Sequence, residues 1–241
     1  MFKNVLLVIP ARYGSTRLPG KPLKKIGSKT MIQRVYEKAL KVKCKKTLVA
    51  TDDKRILQHC KLNNIDCVMT KKSHATGSDR VSEVSRKYNT PWILNLQGDE
   101  PIINVNDIKN LIKKTFSHNK KNKNFSVSTL YFKKKETNEE NPNEARLLLN
   151  NENEVIIFTR KKITLGLKEK FYLKHIGIFF YKKKFLENFS KLKKSYLEKD
   201  QKLEQLRVIE NGFKIIAFRA RFLTKGIDSY KDLLDVRKKI K

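Results

Sequence analysis

Three cations and two glycines follow the first apolar run of the chain and could bind phosphate. Residues 5–9 are Val-Leu-Leu-Val-Ile, which predicts a buried strand, and the stretch 10–22 after it carries Arg12, Arg17 and Lys21 between prolines. Ligands of parallel sheets bind beyond the carboxyl ends of the strands. Glycines let backbone N–H groups approach an anion, and fixed cations offset phosphate charge. The stretch is therefore predicted to cradle a polyphosphate.

This cradle matches neither standard phosphate-binding loop. A Walker A loop has four residues between its glycines, followed by Lys-Ser or Lys-Thr. Here five residues separate Gly14 from Gly20, and Pro22 follows Lys21. The dinucleotide fingerprint Gly-x-Gly-x-x-Gly is absent as well. The sequence therefore argues against a GTP- or ATP-hydrolysing P-loop protein. We expect the affinity for a polyphosphate to come mainly from the side-chain cations.

Carboxylates after later apolar runs could hold a divalent cation beside that phosphate. Residues 92–96 predict a strand, and Gln-Gly-Asp-Glu-Pro follows at 97–101, which makes Asp99 a candidate Mg²⁺ ligand. Gly-Ile-Asp at 226–228 offers Asp228 as a second acid. Each aspartate, taken alone, also fits the commoner role of a helix N-cap.

The elements that must position these residues alternate between strand and helix in the first half. Strands are predicted at 5–9, 47–50, 67–69 and 92–96, and helices at 31–42, 54–63 and 78–87. This alternation is typical of an α/β fold with a doubly wound, mostly parallel sheet.

The second half has a different pattern. A helix at 107–116 leads through a loop or exposed helix end at 118–124 to strands at 126–132, 146–149, 155–159 and 175–181. These either add antiparallel strands to the sheet or form a subsidiary lobe. A helix at 199–210 ending at Gly212, a strand at 213–218 and a helix at 229–240 capped by Asp228 or Ser229 complete the chain. Without repeats or a flexible linker, we expect one domain over 1–241 with a small antiparallel lobe at about 125–185.

Composition limits the class of protein. The chain has 241 residues, of which 39% are hydrophobic and 33% charged, so it can bury a substantial core and a disordered chain is excluded. The three cysteines, Cys44, Cys60 and Cys67, lack CxxC spacing, which indicates free thiols rather than a disulfide framework or zinc site. The N-terminal apolar run is too short for a signal peptide or a membrane span, so we expect a cytoplasmic protein without membrane insertion.

The charge is strongly basic, with 55 Lys and Arg against 24 Asp and Glu and a net charge of +31. Such a field would attract nucleic acid or an acidic membrane. We prefer compositional drift from an A/T-rich coding sequence, because the lysines are scattered and no aromatic-interleaved basic platform accompanies them. A specific nucleic-acid partner is therefore not expected.

The motifs in their order resemble those of the 3-deoxy-manno-octulosonate cytidylyltransferases (CMP-Kdo synthetases). The matching blocks are Ile-Pro-Ala-Arg-Tyr-Gly-Ser-Thr-Arg-Leu-Pro-Gly-Lys-Pro at 9–22, Ala-Thr-Asp at 50–52, His-Ala-Thr-Gly-Ser-Asp-Arg at 74–80, Gln-Gly-Asp-Glu-Pro at 97–101, Asn-Pro-Asn at 141–143, His-Ile-Gly-Ile at 175–178, Leu-Glu-Gln-Leu-Arg at 203–207 and Gly-Ile-Asp at 226–228. The resemblance implies a nucleotide-diphospho-sugar transferase-like fold. It also implies transfer of CMP from CTP to the anomeric hydroxyl of Kdo, an acidic sugar of bacterial lipopolysaccharide, with release of pyrophosphate.

The resemblance also implies roles for individual residues. The expected nucleotide-binding residues are Arg12, Arg17, Lys21, Thr51, His74, Ser78 and Arg80. Asp99 and Asp228 would hold Mg²⁺, and Arg12, Lys21 and Asp99 would be catalytic. The expected sugar-binding residues are Gln97, Arg160, His175, Glu204 and Gln205. The reaction needs positioning and charge neutralisation rather than a protein nucleophile, and the family implies a homodimer.

Some of these residues have ordinary structural explanations. His175 lies in a strand-like run where a histidine is usually satisfied within the fold. Arg160 begins a basic run typical of a solvated face, and Glu204 and Arg207 lie three apart on the predicted helix 199–210, a spacing typical of a weak surface pair. Only the joint pattern favours a site.

The chain departs from the family pattern at three places. Phe179 replaces the usual Tyr, Arg146 replaces the usual Lys, and the segment 160–175 is shorter and has Ile163-Thr164 where Ile-Pro is usual. A related alternative is a CMP-sialic acid synthetase of the same fold, against which the His-Ile-Gly and Glu-Gln-Leu-Arg blocks argue. An alternative of another class is an RNA-binding protein on a degenerated enzyme scaffold, which would bind RNA selectively at physiological salt.

Overall fold

A central mixed sheet with helices on both faces organises the chain. The computed structural model describes residues 1–15, 17–136, 141, 143–162 and 171–240. The strands are β1 (Phe2–Ala11), β2 (Lys25–Ile26), β3 (Lys29–Thr30), β4 (Cys44–Thr51), β5 (Cys67–Met69), β6 (Trp92–Leu96), β7 (Val127–Lys135), β8 (Arg146–Leu149), β9 (Val155–Thr159), β10 (Phe171–Lys182) and β11 (Ile215–Arg219). The helices are α1 (Met31–Leu40), α2 (Lys54–Leu62), α3 (Gly77–Ser85), α4 (Val105–Lys121), α5 (Lys183–Phe189), α6 (Tyr196–Gln201), α7 (Leu206–Glu210) and α8 (Tyr230–Lys239), with a 3₁₀ turn at Lys21–Leu23.

Strand β1 explains why the sheet must be covered on both faces. Its residues 5–9 are completely buried, and alternate side chains enter two different cores. Val5, Leu7 and Ile9 pack with α1, α2 and α4, whereas Leu6 and Val8 pack with α3, α5 and α7. A strand that is apolar on both sides forces this three-layer arrangement, and the predicted doubly wound fold is confirmed.

The strands follow the order β11-β7-β10-β6-β1-β4-β5 across the sheet. The neighbours β6, β1, β4 and β5 are parallel, β10 runs antiparallel between β6 and β7, and β11 runs parallel to β7. Strands β8 and β9 extend from β10 beside this path, and β2 and β3 form a separate two-stranded sheet. The antiparallel strands predicted for the second half therefore join the main sheet.

The predicted helix at 199–210 is wrong. Two short helices, α6 and α7, occupy this region, and Lys202 between them has a left-handed backbone with φ 52°. The break has a tertiary cause, because Leu203 enters the core and the next side chain, Glu204, bonds to Ser78 on α3. Helix propensity alone does not encode such contacts.

Helix ends near the site agree with the local sequence. Ser229 caps α8 in a capping box with Asp232, as one of the two predicted caps, and Thr76 caps α3 in the same way with Asp79. Helix α5 was not predicted. Among the described helices, none combines the length and the apolar composition that a membrane crossing needs.

Candidate active site

A cavity of about 1260 Å³ opens at the carboxyl ends of β1 and β6. Most of the predicted site residues line it: Arg12, Arg17, Lys21, His74, Arg80, Gln97, Asp99, Arg160, His175, Glu204, Gln205 and Asp228. We call the lining residues between 10 and 22, 74 and 80, and 97 and 100 the N-terminal wall. Those between 143 and 145, 174 and 179, and 203 and 205, with Arg160, form the C-terminal wall.

Lys21 joins the two predicted metal-binding aspartates. Its Nζ lies 2.7 Å from Asp99 Oδ2 and 3.2 Å from Asp228 Oδ1, and it donates to the carbonyl of Ile227 at 2.8 Å. Burial lowers the pKa of Lys21, but the attraction of Asp99 and Asp228 outweighs it, so the pKa is raised overall. The ammonium therefore stays charged at neutral pH and holds two distant segments together.

The rest of the first loop presents positive charge to the cavity. The Arg17 guanidinium bonds to Asp228 at 3.1 Å and to the side chain of Asn143, while Arg12 is exposed on the cavity wall. Gly20 turns the loop back with φ 66°, a backbone conformation that favours glycine. The backbone can thus place the three cations around one space, as the sequence predicts.

The pair Asp99 and Asp228 fits a magnesium site of the kind that shares its ion with a phosphate. Both side chains are about 30% exposed, at 29% and 28%, and both lie within reach of one cation, Lys21 Nζ. Within the described residues, no group of three or more His, Cys, Asp and Glu side chains could hold a metal by itself. Mg²⁺ commonly uses one or two protein carboxylates and takes its other ligands from substrate phosphates and water.

The blocks at 50–52 and 74–80 meet through one arginine. Arg80 is 4% exposed, donates to Asp52 Oδ2 at 2.8 Å and bonds to the hydroxyl of Thr70. His74 bonds to Glu83, whose Oε2 also accepts from the amide of Lys71 at 3.0 Å. These contacts fold the turn after β4 onto the start of α3 and form one end of the cavity.

Two predicted nucleotide-binding residues lie behind the cavity wall. Thr51 and Ser78 are both completely buried. The Thr51 hydroxyl accepts from the amide of Asp53 at 3.2 Å. The Ser78 hydroxyl donates to Glu204 at 2.7 Å and lies 3.0 Å from the Tyr181 hydroxyl. Their side chains therefore hold the wall in place rather than face its space.

His175 lines the C-terminal wall in one defined tautomer. The Thr129 hydroxyl donates its proton to the carbonyl of Ile178 at 2.6 Å, so it accepts at 2.9 Å from His175 Nε2–H. Nδ1 then remains as an acceptor. Burial, with the nearby charges of Arg160 and Lys174, lowers the pKa of His175 to about 3, so the ring is neutral at physiological pH.

Arg160 and Gln205 complete the C-terminal wall. The Arg160 guanidinium donates to the carbonyl of Asn143 at 2.6 Å and to that of Gln201 at 3.2 Å. Gln205 is 5% exposed beside it. Arg160 is therefore no solvated residue of a basic run. Ile163 and Thr164, where the chain departs from the family pattern, and Pro142 lie outside the described residues.

Glu204 connects the two walls. Its carboxylate accepts from the Ser78 hydroxyl at 2.7 Å and from the Ser78 amide at 3.3 Å. Burial raises its pKa, and the bonds from Ser78 offset only part of that effect. The ordinary alternative, a weak surface pair with Arg207, does not apply, because Arg207 is 2% exposed and pairs with Glu198 under the ring of Phe189.

Two departures from the family pattern have visible consequences. Phe179 lines the cavity with its ring centroid 5.0 Å from that of His175, so an apolar ring stands where the usual residue has a hydroxyl. Arg146 forms a bidentate pair with Glu136, at 2.8 and 3.0 Å, and stacks on Tyr172. Lysine has no such planar fork, so the Arg146 substitution is not conservative here.

Comparisons with known proteins agree with this geometry. The sequence model of the family described as Cytidylyltransferase matches residues 6–215. A 3-deoxy-manno-octulosonate cytidylyltransferase from Fusobacterium nucleatum is 41% identical over 240 residues, covering 97% of this chain and 96% of that protein. The chain belongs to the 3-deoxy-manno-octulosonate cytidylyltransferase family.

Members of this family share both sequence and fold with the chain. An Escherichia coli protein of the same name is 37% identical and covers 97% of the chain and 95% of its own length. A Shewanella pealeana protein named 8-amino-3,8-dideoxy-manno-octulosonate cytidylyltransferase is 38% identical, with 95% and 96% covered. A solved CMP:2-keto-3-deoxy-manno-octonic acid synthetase complexed with CTP superposes with a TM-score of 0.88 at 36% identity, covering 98% of both chains.

Among the lining residues that were not predicted, four polar ones form a connected cluster. They are Glu100, Glu144, Lys174 and Thr224. Three signals were available, because Glu100 lies inside the block 97–101, Glu144 directly follows the block 141–143 and Lys174 directly precedes the block 175–178. Thr224 gave no comparable signal, since it becomes informative only through its bond to Glu100, which is distant in sequence.

Proposed function

We propose that this chain transfers CMP from CTP to the anomeric hydroxyl of 3-deoxy-D-manno-octulosonate (Kdo), giving CMP-Kdo and pyrophosphate for lipopolysaccharide biosynthesis. The observation that carries the proposal is the convergence of Lys21, Asp99 and Asp228 at the junction of the two walls. Its support is the family membership and the structural likeness to a synthetase complexed with CTP.

The N-terminal wall suits a nucleoside triphosphate. Arg12, Arg17 and Lys21 would face the β- and γ-phosphates, where negative charge increases as pyrophosphate leaves. Arg80 and His74, held by Asp52 and Glu83, would border the cytidine. Because both anchors lie within the protein, these side chains are fixed before the nucleotide binds.

Asp99 and Asp228 would hold Mg²⁺, with remaining ligands from the triphosphate. When bound, such an ion polarises phosphoryl oxygens and reduces the charge repulsion against an incoming oxygen. Lys21, between the two carboxylates, would then bind the phosphates. The proposal needs no protein nucleophile, because the sugar hydroxyl itself attacks the α-phosphorus in line.

The C-terminal wall suits an acidic, hydroxyl-rich sugar. Arg160 would attract the sugar carboxylate. Gln205 and Glu204, with Gln97 from the N-terminal wall, offer donors and acceptors to hydroxyls. His175 would accept a hydrogen bond from a sugar hydroxyl at Nδ1, since Nε2–H is committed to Thr129. One P–O bond forms to the sugar, one P–O bond breaks to release pyrophosphate, and the proton of the attacking hydroxyl passes to solvent.

Pyrophosphate release tests the proposal. Purified protein should release pyrophosphate only with CTP, Mg²⁺ and Kdo together, at a salt concentration that suppresses nonspecific binding. N-acetylneuraminate should not replace Kdo. The assay should also include 8-amino-3,8-dideoxy-manno-octulosonate in place of Kdo, because a 38% identical relative is named for that sugar. Release with CTP, Mg²⁺ and N-acetylneuraminate but not with Kdo, or no release by a folded protein, would reject the proposed activity.

We further propose a homodimer in the cytoplasm, formed through the strand-rich region at about 125–185. Exposed apolar side chains support this surface, with Ile156 56% and Phe171 43% exposed. The three free cysteines are compatible with a reducing compartment. Light scattering should give twice the chain mass of 28.3 kDa, and Ile156→Lys should lower it toward that of one chain.

A further inference from the structure

Asp228 lies in an irregular segment that needs specific anchors. Residues 220–229 connect β11 to α8 and contain neither strand nor helix, yet Thr224 is 3% exposed and Ile227 is completely buried. No ladder of backbone hydrogen bonds fixes such a segment, so individual contacts decide where Asp228 lies. A metal shared by Asp99 and Asp228 would require that position to be accurate to a fraction of an ångström.

The side chain of Glu100 provides one polar anchor of this segment, and Lys21 provides another through Ile227 and Asp228. Glu100 is 6% exposed, its Oε2 accepts from the Thr224 hydroxyl at 2.7 Å, and its Oε1 accepts from the amide of Gly177 at 3.1 Å. A Cβ atom on Gly177 would lie 3.1 Å from Oε1, and one on Gly226 would lie 3.3 Å from it. The glycines let two backbones close around one carboxylate.

Further bonds tie the same segments together. The amide of Ile227 donates to the carbonyl of Asp99 at 2.9 Å, directly beside Glu100. Lys174 on β10 donates to the carbonyl of Thr224 at 3.0 Å and pairs with Glu144 at 3.0 Å, so β10 also holds the segment through this side chain. Asp99, Glu100, Thr224 and Asp228 therefore belong to one connected arrangement.

We propose that Glu100 and Thr224 are positioning residues, whose hydrogen bond acts together with the Lys21 bridge to set the separation of Asp99 and Asp228 for a shared divalent cation. This inference rests on the proposed function, because it assumes a cation held by that pair. The Glu100 carboxylate bonds to Thr224 and Gly177 and would not itself bind the cation. It would act on the cation site through the residues that it positions. Breaking the bond should release the 224–228 segment and weaken cation binding while the fold and the phosphate cradle persist.

The test is a titration of Mn²⁺ binding in the presence of CTP and the absence of sugar. The electron paramagnetic resonance signal of free Mn²⁺ measures how much of the ion is unbound. Thr224→Val keeps the shape of the side chain but removes the hydroxyl, and Thr115→Val is the matched control. The control threonine is completely buried and donates to the carbonyl of Leu111 at 2.7 Å, outside the cavity lining. Melting temperatures are recorded for both variants.

We expect Thr224→Val to weaken Mn²⁺ binding about tenfold and to raise the Mg²⁺ concentration at half-maximal turnover similarly, as expected for one lost buried hydrogen bond. Thr224→Ser should restore binding to within about twofold, because it restores the donor. Thr115→Val should lower the melting temperature and leave Mn²⁺ binding unchanged.

Wild-type affinity for Mn²⁺ in Thr224→Val, or equal weakening in Thr115→Val, would overturn the positioning role. Thr224→Ala carries the same expectation if the valine variant does not fold. A wild-type protein that binds CTP but no Mn²⁺ would overturn the metal site itself and the positioning role with it. The two failures are thus distinguishable.

Discussion

The two walls of the cavity are built in different ways. On the N-terminal wall, site residues follow the ends of β1 and β6 or begin α3, and local features such as the Thr76 capping box and the Gly20 turn fix their backbone. On the C-terminal wall, Glu204 and His175 are fixed by side chains 126 and 46 residues away in sequence, Ser78 and Thr129. The backbone of the first wall is therefore determined by topology and local sequence, whereas the site side chains of the second wall depend on long-range packing.

This difference predicts separable effects on the two substrates. Changes on the N-terminal wall should alter the use of CTP, and changes on the C-terminal wall should alter the use of Kdo. Residues at the junction should affect turnover with both. The comparison fails if substitutions on either wall change both Michaelis constants alike.

The largest effect is expected at the junction. Asp99→Asn keeps the side-chain shape but removes the charge that would bind Mg²⁺, and turnover should fall about a thousandfold with little change in melting temperature. Asp66→Asn is the control, since Asp66 pairs with Lys46 at 2.6 Å on the surface. Pyrophosphate release measures both variants. Turnover within tenfold of wild type in Asp99→Asn would contradict the metal assignment.

The next effect sharpens the C-terminal side of the comparison. Glu204→Ala removes a half-buried acceptor of two bonds from Ser78 and should raise the KM for Kdo about thirtyfold, against about threefold for CTP. Some effect on the KM for CTP is expected, because Ser78 loses both bonds and stands at the start of α3, beside the N-terminal wall. Glu210→Ala, at the exposed end of α7, provides the control. An unchanged dependence on Kdo would show that Glu204 only supports the fold.

Arg80→Lys tests the N-terminal side. Lysine keeps the charge but loses the fork that reaches both Asp52 and Thr70, so the KM for CTP should rise about tenfold and that for Kdo should stay within twofold. Arg86→Lys, at the C-cap of the same helix, is the control, because its guanidinium bonds to the carbonyl of Glu187. A rise confined to the KM for Kdo would show that the assignment of Arg80 to the CTP side is wrong.

The smallest effect is expected in the pH dependence of the free energy of unfolding. The pKa of His175 is lowered from its ordinary 6.5 to about 3 by burial, so the unfolded chain binds its proton more readily between these values. The stabilisation is complete above pH 6.5 and is lost progressively as the pH falls toward 3. Wild type should therefore lose stability relative to His175→Gln between pH 7 and pH 5 in denaturant titrations. Parallel loss in both proteins would mean that His175 does not carry the effect.

The contrast between the walls also explains what could be predicted from the sequence. Strands β5, β6, β8 and β9 end where apolar runs end, and the cations of the first loop fall together because β1 positions them. The helix at 199–210 was predicted wrongly, because the contacts of Leu203 and Glu204 override local propensity. Glu100 lies within a recognised block, but the sequence predicts no role for it, because its structural role depends on a hydrogen bond from Thr224, 124 residues away.

Charge shows the same limit. The sequence gives a net charge of +31, from which a nucleic-acid partner was a reasonable alternative. The arrangement of that charge is visible only in three dimensions, where Arg12, Lys21, Arg80 and Arg160 face one cavity. A site for two anionic substrates accounts for these four cations without any polyanion.

The most direct test follows the phosphorus atoms of CTP. Protein, Mg²⁺ and Kdo are incubated with CTP labelled either at the α- or at the γ-phosphate, and the products are separated. The account predicts that the α-label appears with the sugar as CMP-Kdo and the γ-label only in pyrophosphate. Recovery of the γ-label as inorganic phosphate, or of the α-label as free CMP formed without Kdo, would contradict transfer of CMP to the sugar.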